Sequence, residues 1–344
     1  MTMKAMVLHE ITSLADNRKP LRLEDRAGPS PGEGDILIKV TACGVCHTEL
    51  DEIEGRTPPP KFPIILGHQV VGNVADSGAH AKRFTTGDRV GVGWIFSACG
   101  QCKFCHLGKE NLCAEFKATG RDADGGYAEY MTVPEGFAYP IPEVFADVEA
   151  APLFCAGAIG YRSLRLTGIR DGQRLGLTGF GASAHLVLKM TRFRYPNSRI
   201  YVFARSEKER DFAKDLGAVW AGDTAEEPPE KLDCIIDTTP AWKPVVEALK
   251  SLAPGGRLVI NAIRKESRDQ DYLLKLDYPK HLWLEKEIKS VANVARSDVS
   301  EFLDLAARIP IKPDVQEFAL ADANEALLEL KEGKIRGAKV LKLA

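Results

Sequence analysis

The stretch Arg174–Leu188, R-L-G-L-T-G-F-G-A-S-A-H-L-V-L, decides how the chain is read. It opens as a mostly apolar run of strand length, passes through Gly179-Phe180-Gly181, and continues with Ala184, Val187, Leu188 and Thr191 along one helical stripe. Each small residue has a physical reason to be there. Gly179 permits a tight turn, Gly181 lets a ligand approach the backbone, and Ala184 lets helix and strand pack closely. The free N–H groups of a helix start favour negative charge, so the pattern suits the pyrophosphate of a dinucleotide. The bland alternative is an ordinary strand-to-helix turn with no ligand.

Outward from this segment, strands are expected at Arg199–Phe203, Leu232–Asp237 and Arg257–Ile263. Helices are expected from Glu207 to Leu216 and around Val245, Val246, Leu249 and Leu252, the second one stopped by Pro254-Gly255-Gly256. Such alternation predicts an α/β doubly wound parallel sheet of the Rossmann type. Before it, short strand-like runs (Asp35–Cys43, Val70–Val74, Arg89–Val92, Tyr127–Val133) are punctuated by Gly and Pro at Pro29–Gly34 and Pro58–Pro60. They predict a β-rich domain with long loops. The expected organisation is one domain from 1–152 with 291–344, and a dinucleotide-binding domain over 153–290.

The chain has 344 residues, enough for two domains with large cores and no need of disulfides. Lys plus Arg number 46 and Asp plus Glu 48, a net charge of −2. That balance argues against phosphate-neutralising contact with nucleic acid and against a polybasic membrane anchor. The uncharged run Ala150–Tyr161 contains Pro152 and is too short to span a bilayer. Charges come too early at the N-terminus for a signal peptide. A soluble cytoplasmic protein is expected, with no nucleic-acid or membrane partner.

Four of the eight cysteines, Cys99, Cys102, Cys105 and Cys113, fall in A-C-G-Q-C-K-F-C-H-L-G-K-E-N-L-C. The short intervals let four thiolates turn onto one point and close a tetrahedral zinc site with no position left for substrate. An iron–sulfur cluster is the rival reading. Four free thiols in one loop would be an oxidation hazard. Cys234, inside L-D-C-I-I-D, and Cys43 are expected to be core residues. Cys46, His68 and Cys155 are too far apart in sequence for spacing alone to join them.

Taken together, the β-rich first part, the four-cysteine loop, G-V-C-H-T-E-L, G-H-Q-V-V-G, the Cys155-Ala156-Gly157 segment and the glycine turn resemble the zinc-dependent alcohol dehydrogenases of the medium-chain dehydrogenase/reductase superfamily. The resemblance covers nearly the whole chain. It implies a GroES-like catalytic domain beside the dinucleotide fold, a small alcohol, aldehyde or ketone as substrate, and a homo-oligomer, tetramer or dimer. It implies that Cys46, His68 and Cys155 hold a catalytic zinc in the Cys2His set known from alcohol dehydrogenase, which makes two zinc ions per chain with the four-cysteine site. Thr48 matches the hydroxyl residue that takes the alcohol proton, and His47 and Arg336 match positions that contact the pyrophosphate. Glu49 matches an acidic residue that orients the zinc-ligand histidine, and Trp94 a substrate-pocket aromatic. Two departures stand out. Gln69 replaces the usual Glu after the histidine, and Asp51 replaces the histidine that commonly ends the proton path. The rivals are a zinc-free quinone or enoyl reductase of the same superfamily and a non-catalytic cofactor-sensing protein.

Cofactor choice is read from the end of the second strand. An NAD-binding fold usually carries an acidic residue there for the ribose 2′-hydroxyl. This chain has Ala204-Arg205-Ser206. Ala204 leaves room, Arg205 offers a planar pair of donors and Ser206 a hydroxyl, which suits a 2′-phosphate. The same string resembles the NADP-using cinnamyl-type branch of the family. NADP is expected to be favoured over NAD.

Overall fold

The structure is a computed structural model that describes residues 1–309, 311–333 and 337–343. The chain divides into two compact units, Met1–Cys155 with Ala295–Ala344, and Ala156–Val294.

In the second unit, six parallel strands form one sheet. Arg174–Thr178 lies between Arg199–Phe203 and Leu232–Asp237, so the order in chain sequence is 3-2-1-4-5-6. The strands Arg174–Thr178, Arg199–Phe203 and Leu232–Asp237 have the boundaries expected from their apolar runs. Their interiors are buried because helices cover both faces of a parallel sheet. The Ala182–Arg194 helix buries Ala184, Val187, Leu188 and Thr191, the stripe read from its periodicity.

Two local readings are corrected. The Lys243–Ser251 helix ends before Pro254-Gly255-Gly256, and these three residues lie inside the Leu252–Ile260 strand. Leu252 pairs with Leu232 and packs in the sheet core, so the backbone turns extended there and not at the proline. The strand also ends at Ile260, where Asn261 N–H turns to the Asp237 carbonyl, 2.7 Å away, and does not reach Ile263. The charged 285–289 stretch is exposed apart from half-buried Lys286, and Glu287–Ser290 forms the sheet's last strand.

The first unit is built on a seven-stranded sheet. Its central strand, Asp35–Val45, pairs antiparallel with Val70–Ser77, with Tyr130–Pro134 and with the late strand Ala338–Lys342. The strand Tyr130–Pro134 starts three residues later than its apolar run suggests, and Tyr127 is fully buried. The helix His47–Ile53 follows directly from Val45 and Cys46 and is tied at its far end through Glu54. Glu54 accepts the Leu14 N–H at 3.1 Å, Arg56 Nη1 at 2.5 Å, and the Lys331 ammonium from the Ala323–Lys331 helix. Burial works to raise its pKa, but the Lys331, Arg56 and Leu14 hydrogen bonds outweigh it and hold the carboxyl at about 2, below its ordinary 4.5. A depressed carboxyl pKa stabilises the fold above the ordinary value, and that contribution fades as pH falls from 4.5 toward 2. Glu54→Gln is therefore expected to flatten this limb of a melting-temperature profile against pH. An unchanged acid limb would show that the carboxylate is not coupled to folding.

Candidate metal centres and dinucleotide turn

Three loops of the first unit bring Cys46, His68 and Cys155 together. Cys46 is the extended residue between the Asp35–Val45 strand and the His47–Ile53 helix. His68 precedes the strand Val70–Ser77, and Cys155 follows the short turn Ala151–Phe154. One atom from each, two sulfurs and an imidazole nitrogen, lie within 4.8 Å of one another. The sulfurs of Cys46 and Cys155 are 3.7 Å apart, too far for a disulfide and close for two thiols that share nothing.

Glu49 organises this site from the first turn of the helix. One carboxylate oxygen accepts the Cys46 backbone N–H at 2.8 Å, and the other meets His68 Nδ1 at 2.5 Å. A carboxylate only accepts, so Nδ1 carries the proton and the Nε2 lone pair is left for another partner. Nε2 is buried and has no hydrogen-bond partner among the described residues. Burial opposes charge on His68, but Glu49 and the Cys46 sulfur together raise its pKa well above the ordinary value, so a metal ion at Nε2 would take the place of a proton there. Hydrogen bonding from Cys155 pulls Cys46 well down, and the same contact, with burial, pushes Cys155 well up. Two sulfurs and an orphaned imidazole nitrogen around one point make a donor set that fits zinc.

Thr48 is half-buried, its hydroxyl 3.6 Å from the Cys46 sulfur, and His47 is exposed. Asp51 is buried, and its carboxylate pairs with the Arg56 guanidinium. Gln69 is buried beside His68. Trp94 packs against Phe116 at 5.3 Å, and the Arg121 guanidinium lies over both rings at 5.4 and 5.5 Å. Glu52, which no sequence motif marks, is fully buried with neither oxygen hydrogen-bonded among the described residues. Burial and the nearby Glu49 charge push its pKa well up. Its only sequence signal is the three-residue interval from Glu49, which puts both on one helix face.

The second sulfur cluster is also in place. Cys99, Cys102, Cys105 and Cys113 have their sulfurs within 4.8 Å of one another. The separations Cys113–Cys99, Cys102–Cys105 and Cys99–Cys105 are 3.5, 3.6 and 3.9 Å. Sulfurs at about 2.3 Å from a central zinc define a tetrahedron with edges of about 3.8 Å. A cluster whose thiolates ride on separate irons would spread them further.

In the second unit, Gly179 has φ +76°, and a Cβ there would meet Thr238 Oγ1 at 2.9 Å and Thr239 Cγ2 at 3.0 Å. Gly181 begins the helix Ala182–Arg194, and a Cβ on it would meet no atom within 4 Å, so the backbone faces open space. Ala184 is buried. The turn thus has the shape that an approaching pyrophosphate needs. Ala204 is buried at the end of the second strand, and Arg205 and Ser206 are exposed just beyond it. Arg210 Nη1 holds that corner by donating to the carbonyls of Ala204 at 2.8 Å and Arg205 at 2.9 Å. Arg336 lies outside the described residues.

A parallel 3-2-1-4-5-6 sheet with a glycine turn at its switch point, joined in one chain to a β unit with an S,N,S site, defines a medium-chain dehydrogenase. Residues 32–143 match the family described as alcohol dehydrogenase GroES-like domain. Over 327 residues the chain is 42% identical to a Mycobacterium tuberculosis protein named "Probable alcohol dehydrogenase AdhA", covering 94% of this chain and 92% of that one. It is 34% identical to an alcohol dehydrogenase of Geobacillus stearothermophilus, with 99% of each covered. Among solved structures, a cinnamyl alcohol dehydrogenase of Sorghum bicolor superposes with a TM-score of 0.84 at 26% identity, covering 99% of this chain and 98% of that one. The chain belongs to the alcohol dehydrogenases of the medium-chain dehydrogenase/reductase superfamily.

Proposed function

We propose that this protein interconverts alcohols with aldehydes or ketones by exchanging a hydride with a nicotinamide dinucleotide. The reading rests above all on the convergence of Cys46, His68 and Cys155 around the unpartnered His68 Nε2. These three residues would hold a zinc ion, which as a Lewis acid polarises the substrate oxygen. Glu49 fixes the imidazole by its bond to Nδ1 and the cysteine by its bond to the Cys46 N–H, so the donor atoms keep their orientation without substrate. Thr48 holds and passes the alcohol proton at Oγ1, with His47 beside it on the cofactor path. Asp51, paired with Arg56, supports this helix and is a less direct member of the proton path than its position in sequence suggests. The four-cysteine site would hold a second zinc that serves stability. An alcohol and aldehyde panel with both cofactors, run beside elemental analysis, tests the reading. A chain without bound zinc that still turns over would favour the zinc-free reductase.

The dinucleotide would bind through Gly179, Gly181 and Ala184, with His47 and Arg336 at the pyrophosphate and Ala204, Arg205 and Ser206 at the adenosine ribose. We propose that NADP(H) is preferred. Arg205 is exposed, and its guanidinium has no partner among the described residues, so it is free to meet a 2′-phosphate. Arg205→Ala is expected to lower kcat/KM for NADP(H) by tenfold or more and to leave that for NAD(H) nearly unchanged. A tenfold preference of the wild type for NAD(H) would rule this out.

A further inference from the structure

A buried ion pair stands behind the glycine turn, and no step of the proposed reaction uses it. Asp237 ends the strand Leu232–Asp237 and is fully buried, and the side chain of Lys265 is 8% exposed. The Lys265 ammonium bonds the Asp237 carboxylate and the carbonyls of Thr239 at 2.7 Å and Ala241 at 3.1 Å. Its three protons are thereby used. The other Asp237 oxygen accepts Thr178 Oγ1 at 2.5 Å and Thr239 Oγ1 at 2.8 Å. Thr178 is the residue just before the turn. Thr238 closes the link, bonding the Thr178 carbonyl with both its N–H and its Oγ1 at 3.0 Å.

The segment after the fifth strand clasps the same loop at two further points. Glu266 N–H donates to the Pro240 carbonyl at 2.8 Å. Asp269 accepts the N–H groups of Trp242 and Lys243 at 2.9 and 2.8 Å. The loop held this way is the wall against Gly179, whose missing Cβ leaves room for Thr238 and Thr239. It sits between strands one and four, at the switch point where open parallel sheets bind their ligands.

A buried ion pair is weak as a stabiliser, since apolar residues of the same size often do as well. Its placement here has a second consequence. Asp237 carries a negative charge beside a turn shaped for pyrophosphate, and Lys265 neutralises it. We infer that Lys265, through Asp237 and the Thr238–Ala241 loop, is a positioning residue for the nicotinamide dinucleotide: it fixes the wall of the glycine turn and cancels a charge that would repel the phosphates. The inference rests on the cofactor reading above. It assigns Lys265 no contact with the ligand.

The test is the dissociation constant of NADPH and NADH, read from nicotinamide fluorescence on the intact protein, with melting temperature recorded without cofactor. Lys265→Met is expected to weaken both cofactors tenfold or more, because it loosens the wall and leaves Asp237 uncompensated. Lys265→Arg should recover most of the affinity. The double variant Asp237→Asn with Lys265→Met removes both charges, so it should fold even if the single variant does not, and should bind with an intermediate loss. A lowered melting temperature with dissociation constants within twofold of wild type in the folded variants would make the pair a structural feature only and overturn the inference. A wild type that binds neither cofactor would instead remove the reading on which it rests.

Discussion

Cys46→Ser is expected to abolish turnover in a protein that still folds, and Cys105→Ser to unsettle the fold. The two sulfur sites are built differently. Cys46 belongs to a three-donor set with two sulfurs 3.7 Å apart and one buried nitrogen, within a sheet that holds its own shape. A serine hydroxyl keeps its proton at neutral pH and is a poor replacement for a thiolate ligand. Cys105 belongs to a four-sulfur loop whose regular structure is only the short helices Lys103–His106 and Glu110–Leu112. Such a loop takes its shape from the ion it binds, so losing one ligand becomes a loss of folding energy. The loop is also tied to the helix Arg296–Arg308 by Glu110, which accepts Arg296 Nε at 2.6 Å. Disorder in the loop would release that contact. Elemental analysis should give two zinc ions per wild-type chain and one in Cys46→Ser. One or fewer in fully loaded wild-type protein would refute the two-site reading.

Thr48→Ala is expected to lower kcat by about 10²–10⁴-fold, the usual contribution of a positioned acid–base group. Thr48 Oγ1, 3.6 Å from the Cys46 sulfur, is the hydroxyl that the helix start presents beside the donor set. Thr48→Ser keeps the hydroxyl and should retain most of the rate. Asp51→Asn should cost much less, since its carboxylate is committed to Arg56 and its main effect falls on the helix that carries Thr48. Steady-state rates in both directions, with zinc content and melting temperature as controls, separate the cases. A near-normal kcat in Thr48→Ala would reassign the proton to another group.

What is legible in the sequence follows the range of the interactions involved. The runs at Arg174, Arg199 and Leu232 can be bounded to the residue because local pattern and burial agree there. Leu252 cannot be placed, because it continues the apolar stripe of Leu249 while serving as the first residue of a strand. The four-cysteine loop is legible because its ligands lie close in sequence. Cys46, His68 and Cys155 are not, since three separate loops deliver them, and only resemblance to known enzymes joins them. The stretch H-T-E-L-D-E-I carries three carboxylates, and Glu49, Asp51 and Glu52 are all buried in it. Glu49 meets the distant His68, and the Arg56 guanidinium folds back onto Asp51. Lys265 and Asp237 likewise meet only because strands four and five lie side by side.

The first unit is interrupted in sequence: the chain leaves it at Cys155 and returns at Ala295. During synthesis the dinucleotide unit emerges as one continuous piece and has all its strands before Ala338–Lys342 has been made. Until then the Ala42–Val45 part of the central strand has no partner on one side, while the whole of the intervening chain is translated. An open strand edge invites pairing with another nascent chain. The unit that carries both sulfur sites is thus the later of the two to close, and cellular yield would depend on how well that edge is shielded until its own late strand arrives.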